Sequence, residues 1–197
     1  MGKEKYLKKV SELFNKSPVV SYSSIEKVIK TENKRSNYAK KLVGYLTKNG
    51  KIKKLAKGYY TSKEDISLAV FCFKPSYLGL QDALSFHNLW EQETIPVIIT
   101  SKKVRQGIKK VMNKNIFIRR INKKYLFGFD YYKSNEFYLP YSDIEKTFID
   151  MIYFKEKLSE VAIKNIKERI NKKKLNKYLR EYPKRIRKIV FSLLSSY

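Results

Sequence analysis

Asn33–Thr61, NKRSNYAKKLVGYLTKNGKIKKLAKGYYT, is the stretch on which the reading of this chain turns. Ala39, Leu42, Val43 and Leu46 recur at i, i+3, i+4 and i+7, the spacing of one buried helical face. At about 100° per residue, Lys34, Asn37, Lys41, Gly44 and Lys48 fall on the opposite side, with Lys40 and Tyr45 on its flanks. The stretch contains no carboxylate. Asn49-Gly50 ends the helix, because glycine takes the left-handed conformation that a C-terminal cap requires. Lys51–Leu55 and Gly58–Thr61, joined by Ala56-Lys57, are expected to pair as a tight hairpin with lysines near its tip.

Upstream, Tyr6, Leu7, Val10, Leu13 and Phe14 form an apolar helical stripe that predicts a helix from about Lys3 to Asn15. Ser17-Pro18 breaks it, and Val19-Val20 reads as a short strand that pairs with the hairpin. Ser23 with Glu26 three residues on has the form of a capping box for a second helix, whose core face is Ile25, Val28 and Ile29. Thr31–Arg35 is the turn into the third helix. Helix, short strand, helix, turn, helix and hairpin is the order of a winged helix-turn-helix. The expected fold class is α+β, with that N-terminal motif followed by a small α+β domain and C-terminal helices.

Composition sets the wider bounds. Hydrophobic residues make up 43% of the 197, enough for a packed core, so disorder is not expected. Cys72 is the one cysteine, which excludes an intramolecular disulfide and a cysteine-based zinc cluster. The apolar run Ile66–Phe73 is too short to span a bilayer and no secretory signal opens the sequence, so a cytoplasmic setting without membrane association is expected. The net charge of +26 is unevenly placed. Residues 1–62 carry 16 basic and 4 acidic groups, residues 63–154 carry 14 and 10, and residues 155–197 carry 14 and 4. An AT-rich genome accounts for abundant lysine, but not for the missing glutamates at both ends. Two cationic ends around a balanced middle point to nucleic-acid phosphate as partner.

In the middle, Ser62-Lys-Glu-Asp65 is cap-like and opens Ile66–Phe73, read as a linking helix packed on the first domain. Leu80, Ala83, Leu84 and His87 mark a short helix with Asp82 exposed. Val97–Thr100 and Ile116–Ile121 read as strands from their β-branched content, and Tyr125–Tyr132 and Phe137–Leu139 as aromatic-rich strands. Ser142-Asp-Ile-Glu145 has the form of another capping box. Helical periodicity then runs through Phe148, Ile152, Ala162, Ile166, Leu175 and Leu179, breaks at Pro183, and resumes at Ile186. The expected domains are 1–62, the winged helix-turn-helix; 63–154, an α+β unit; and 155–197, basic helices packed on the second.

The candidate site is a DNA-binding one. Lys34, Arg35, Ser36, Asn37 and Tyr38 open the helix that enters the major groove in this motif. Arg35 has the geometry for guanine O6/N7 and Asn37 for adenine N6/N7, while Ser36 and the free helix amides suit a phosphate. Lys40 and Lys41 are assigned to the DNA backbone, and Gly44 to close approach. Lys53, Lys54 and Lys57 in the hairpin are placed at the adjoining minor groove or its phosphates, and Tyr59 or Tyr60 on a sugar or phosphate. Asp143, Glu145 and Asp150 are explained by helix capping and the favourable charge at a helix N-terminus. His87 and Cys72 have no metal-binding companion at useful spacing, and no phosphate-binding loop, dinucleotide fingerprint or nucleophile elbow is present. No catalysis, metal or cofactor is expected. RNA binding, and docking of the C-terminal helices on an acidic partner, are the competing non-enzymatic readings.

Four segments carry a resemblance to the AbiEi antitoxin and viral-defence regulator family of abortive-infection systems: NGKIKKLAKGYYTS, KPSYLGLQDALSFHNL, ITSKK with YLFGF, and YSDIEKTFIDMIYF. In order and spacing they are similar to that family's wing, its proline–tyrosine helix start, its following strands with a Phe-Gly-aromatic step, and its Glu-Lys helix. The likeness runs from about Lys3 to Phe154. It implies an N-terminal winged helix that represses its own operon through an operator in double-stranded DNA. It also implies a second domain that counters a nucleotidyltransferase-like toxin without a stable complex.

Overall fold

A computed structural model describes residues 2–30, 37–134 and 136–195. The chain is mixed α+β and divides into two units, residues 1–72 with 110–114, and residues 73–109 with 115–197. In the first, α1 (Gly2–Lys16) buries Tyr6, Val10 and Phe14, one residue per turn along a single face. Ser17 stops it: its N–H still bonds Leu13 O (3.0 Å), but its hydroxyl turns to Val19 O (2.9 Å). β1 (Val20–Ser21) then runs directly into α2 (Tyr22–Lys30). The cap of α2 is therefore Ser21, not Ser23: Ser21 Oγ accepts the Ser24 N–H at 3.1 Å, and the Ser23 hydroxyl joins Ser21 Oγ at 2.8 Å. A strand end already has the extended backbone that an N-cap needs, so the strand and helix share the residue.

α3 (Asn37–Lys48) buries Ala39, Leu42, Val43 and Leu46 against α1 and α2 residues of the same core. Truncating one of these, such as Leu42, is worth about 2–5 kcal/mol by the usual core scale. The helix ends in a Schellman motif. Gly50 (φ +67°) donates to Thr47 O at 3.1 Å and Lys51 to Leu46 O at 2.9 Å. Because the Lys51 and Ile52 amides are spent on Leu46 O, β2 (Lys53–Ala56) starts two residues later than the sequence predicts. Its partner β3 (Tyr59–Thr61) follows a loop at Lys57-Gly58 rather than Ala56-Lys57, since the turn needs the positive φ of Gly58 (+78°). The three strands form an antiparallel sheet in the order β1-β3-β2. Asp65 then caps Ile66–Phe73, accepting Ser67 N–H at 2.8 Å. The Leu68 N–H bonds Asp65 O, an i to i+3 step, and the segment is wound as a 3₁₀ helix.

The second unit carries a six-stranded mixed sheet, of which residues 110, 111 and 114 are assigned to the first unit. Its elements are β4 (Ser76–Leu78), α4 (Leu80–Phe86), β5 (Val97–Thr100), β6 (Gly107–Val111), β7 (Lys114–Arg120), β8 (Phe129–Ser134) and β9 (Phe137–Ser142). Helices α5 (Ile144–Tyr153), α6 (Glu160–Arg169), α7 (Lys172–Leu179) and α8 (Lys184–Ser195) follow. The strand order is β6-β7-β5-β4-β9-β8, with β5–β7 and β4–β9 parallel. β5 lies where its β-branched run places it. β4 and β6 carry no such run, being three residues long and lysine-bearing respectively.

Asp82 is buried, not exposed: it accepts the Val97 N–H at 3.3 Å, satisfying the first amide of β5. The strand predicted from Tyr125 begins only at Phe129. Residues Lys123–Tyr125 form a 3₁₀ turn capped by Asn122, and Gly128 (φ +71°) passes so close to α5 that a Cβ there would sit 2.9 Å from Lys146 Cβ. The cap of α5 is Asp143, which accepts Lys146 N–H at 2.8 Å, in place of Ser142, whose hydroxyl is 2.7 Å from Thr147 Oγ1. Leu175, Leu179, Tyr182 and Val190 lie in the same buried core as Phe148, Ile149 and the sheet.

Candidate nucleic-acid interface

In the first unit the exposed side of α3 and the hairpin bound one open groove of about 520 Å³. α3 contributes Lys40, Val43, Gly44, Thr47 and Lys48, the hairpin contributes Lys54 and Tyr60, and α2 contributes Tyr22. Local bonding holds these walls. The Tyr22 N–H donates to Gly58 O at 2.7 Å, fixing the start of α2 to the hairpin turn. The Thr47 hydroxyl donates to Val43 O at 2.9 Å, which leaves its methyl as the surface it offers. Lys40, Lys48 and Lys54 are exposed, so three ammonium groups border a concave surface. Such a surface attracts polyanions, and lysine serves phosphate as a compact point charge.

The predicted site residues fall into distinct groups. Lys34, Arg35 and Ser36 lie outside the described residues. Asn37, Lys40 and Lys41 are exposed on α3. Tyr38 faces inward: its ring is 5.2 Å from that of Tyr6 and its hydroxyl is buried. Its role in the described residues is packing. Lys54 and Lys57 are exposed on the hairpin, whereas Lys53 is partly buried and ion-paired with Glu64. Tyr59 is half-buried beside Ser21 and Ala56, and it is Tyr60 that lines the groove while packing on the core. Tyr22 and Thr47 join the groove although no sequence motif singles them out, and Lys48 joins it from the cationic helix face. Lys48 stands eight residues from Lys40 on the same helix. No local signal marks Tyr22, whose place depends on its bond to Gly58.

The second unit holds a buried polar network. Lys146 and Asp150, one turn apart on α5, form an ion pair with both side chains fully buried. Tyr77 donates to Asp150 Oδ2 at 2.6 Å, and Lys146 Nζ donates to Tyr182 Oη at 2.9 Å. Asp150 is thus not explained by capping. Burial is the leading influence on all four groups: it lowers the Lys146 pKa and raises those of Asp150, Tyr77 and Tyr182. Opposite charge pulls Lys146 and Asp150 back toward the ionised pair. Nearer the surface, Tyr178 donates to Asp143 Oδ2 at 2.8 Å, and burial with that bond raises its hydroxyl to about 12. Lys174 bridges Asp143 (3.0 Å) and Glu145 (3.4 Å), tying α7 to the start of α5.

His87 gives this unit a pH signature. Burial lowers its pKa from 6.5, against the opposing bond that Nε2–H donates to Ser142 O at 2.7 Å, and Arg169 lowers it further. A depressed folded pKa means the unfolded chain binds the proton first, so stability is full above 6.5 and is lost as pH falls through the folded value. The stability advantage of wild type over His87→Gln, which retains a donor for Ser142 O, should shrink as pH falls below 6.5. Chemical denaturation of both proteins across this range checks it, and parallel curves would contradict it.

No protein-family model matches the sequence, and no curated protein matches it. The chain is similar in fold to the crystal structure of the RV2827C protein from Mycobacterium tuberculosis, with a TM-score of 0.63 at 12% identity, over 98% of this chain and 77% of that one. At that identity the likeness speaks for the fold. Among the described residues no helix is long and apolar enough to cross a membrane, and no three His, Cys, Asp or Glu side chains are placed to hold a metal ion.

Proposed function

We propose that the first unit is a winged helix-turn-helix that binds double-stranded DNA, and that the protein is an autoregulating transcriptional repressor of AbiEi antitoxin type. The observation that carries this reading is the carboxylate-free surface of α3 facing the basic hairpin across one groove bordered by Lys40, Lys48 and Lys54. A duplex laid on α3 brings its sugar–phosphate strand into that groove, where the three ammonium groups replace condensed counterions. The operator is an inverted repeat near the protein's own promoter, since paired half-sites are how regulators with this motif address DNA. The protein acts in the cytoplasm, without catalysis, and answers a nucleotidyltransferase-like toxin that it does not hold in a stable complex. The family part of this reading rests on the four resembling segments.

Expression of the full chain should repress a reporter placed behind its own upstream region, and Lys40→Ala with Lys54→Ala should relieve that repression at equal protein level. A reporter indifferent to the wild-type protein would overturn the proposal. Gly44 supplies a sharper check. A Cβ at Gly44 would meet nothing within 4 Å in the free protein. Gly44→Ala should therefore stabilise the fold by roughly 0.5–1 kcal/mol through helix propensity. It should also weaken DNA binding by about tenfold, roughly 1.4 kcal/mol, because the added methyl keeps the helix from the duplex. Thermal melts and fluorescence anisotropy on one protein preparation measure both.

A further inference from the structure

The exposed side of α3 has two flanks of different chemistry. The flank toward the hairpin carries Lys40 and Thr47 in the groove. The flank away from it carries Tyr45, a large aromatic side chain 41% exposed on a surface otherwise made of lysine, asparagine, threonine and glycine. Asn37 lies between them, and Asn37, Lys41 and Tyr45 follow one another at i, i+4 and i+8. Gly44 beside Tyr45 carries no side chain, and a Cβ there would meet nothing within 4 Å.

We propose that Tyr45 is a specificity-determining residue that reads the methyl group of a thymine, three to four base pairs from an adenine held by Asn37. The inference rests on the DNA-binding reading above. The groove fixes which way the helix meets DNA: with one sugar–phosphate strand between α3 and the hairpin, the opposite flank turns toward the other strand. In the major groove a thymine C5-methyl projects beside the backbone of its own strand, where a flank residue arrives first. Apolar side-chain contact is the means by which that methyl is recognised, as an asparagine amide is the means for adenine N6/N7. The spacing follows from geometry. Eight residues of helix advance about 12 Å, and a duplex rises about 3.4 Å per base pair.

The test is selection of binding sites from random duplexes by the full chain, run in parallel for wild type, Tyr45→Ala and Tyr45→Phe, with thermal melts to verify folding. Wild type should enrich a site with a thymine three to four positions from an adenine. Tyr45→Ala should keep the adenine and lose the thymine, and Tyr45→Phe, which retains the ring, should keep both. Replacing that thymine by uracil, which removes only the methyl, should lower wild-type affinity about fourfold and leave Tyr45→Ala unchanged. If Tyr45→Ala enriches the wild-type site unaltered, or uracil has no effect on wild type, the role given to Tyr45 is wrong while the DNA-binding reading stands. Equal loss in Tyr45→Phe and Tyr45→Ala would mean a hydroxyl contact, and would also overturn the methyl assignment. If wild type enriches no site, the sequence-reading function fails and this inference fails with it.

Discussion

Asp150→Ala is expected to lower the stability of the second unit by about 3–5 kcal/mol, the range for removing one partner of a buried ion pair. For a unit of this size that amounts to a fall of roughly 10–20 °C in Tm. The side chains of Asp150 and Lys146 are fully buried, and Asp150 accepts from Tyr77 at 2.6 Å. Its removal leaves an ammonium group in the core with only the Tyr182 hydroxyl, at 2.9 Å, to accept from it. The loss is therefore one of uncompensated charge, and the double variant Lys146→Met/Asp150→Ala should be the more stable of the two. Calorimetry on both proteins separates the explanations. A double variant less stable than Asp150→Ala would show that packing volume, not the stranded charge, dominates. The same network bears on the cationic C-terminus: Tyr182, between α7 and α8, is 1% exposed and its ring stacks 4.3 Å from Tyr125. A chain ending before Lys155 should consequently lose the folded second unit rather than merely a basic tail.

The combined change Lys40→Ala/Lys48→Ala/Lys54→Ala should reduce the slope of log K against log salt by about three units, one for each phosphate that is no longer neutralised. Over one decade of salt, a slope change of about 2.7 corresponds to a loss of roughly 500-fold in affinity at 0.1 M relative to 1 M. The loss should be the same on any duplex, because phosphates carry no sequence information. All three lysines are exposed, so the melting of the first unit should hardly move. Anisotropy titrations from roughly 0.05 to 0.5 M salt read the slope directly. An unchanged slope would remove the groove from the interface.

The sequence spoke most clearly where one local signal decides. Ala39, Leu42, Val43 and Leu46 place the buried face of α3, and Gly50 supplies the conformation that ends it. Val97–Thr100 is a strand because four apolar or β-branched residues enter a central position of the sheet. Elsewhere a non-local partner chose between equal local options. Ser21 and Ser23 are both fit to cap α2, and the strand ending at Ser21 decides for the first. Tyr38 sits beside the exposed face in a helical projection, but Tyr6 on α1 draws its ring inward. Tyr59 and Tyr60 alternate along one strand, and it is Tyr60, the register partner of Lys54, that lines the groove. In the sequence Asp150 resembles one more helix-favouring carboxylate. Its partners, Lys146 apart, come from residues 73 and 32 positions away in the chain, beyond any local pattern.

The most direct measurement on the central claim is equilibrium binding of the full chain to its own upstream duplex and to a random duplex of equal length. Specific binding by regulators of this kind is typically about 10³–10⁷ times tighter than their nonspecific binding. A ratio in that range, lowered by Asn37→Ala and lowered further when Tyr45→Ala is added, is the result expected of a repressor that reads bases with α3. Equal affinity for the two duplexes would contradict it, and would leave the cationic groove a nonspecific holder of phosphate.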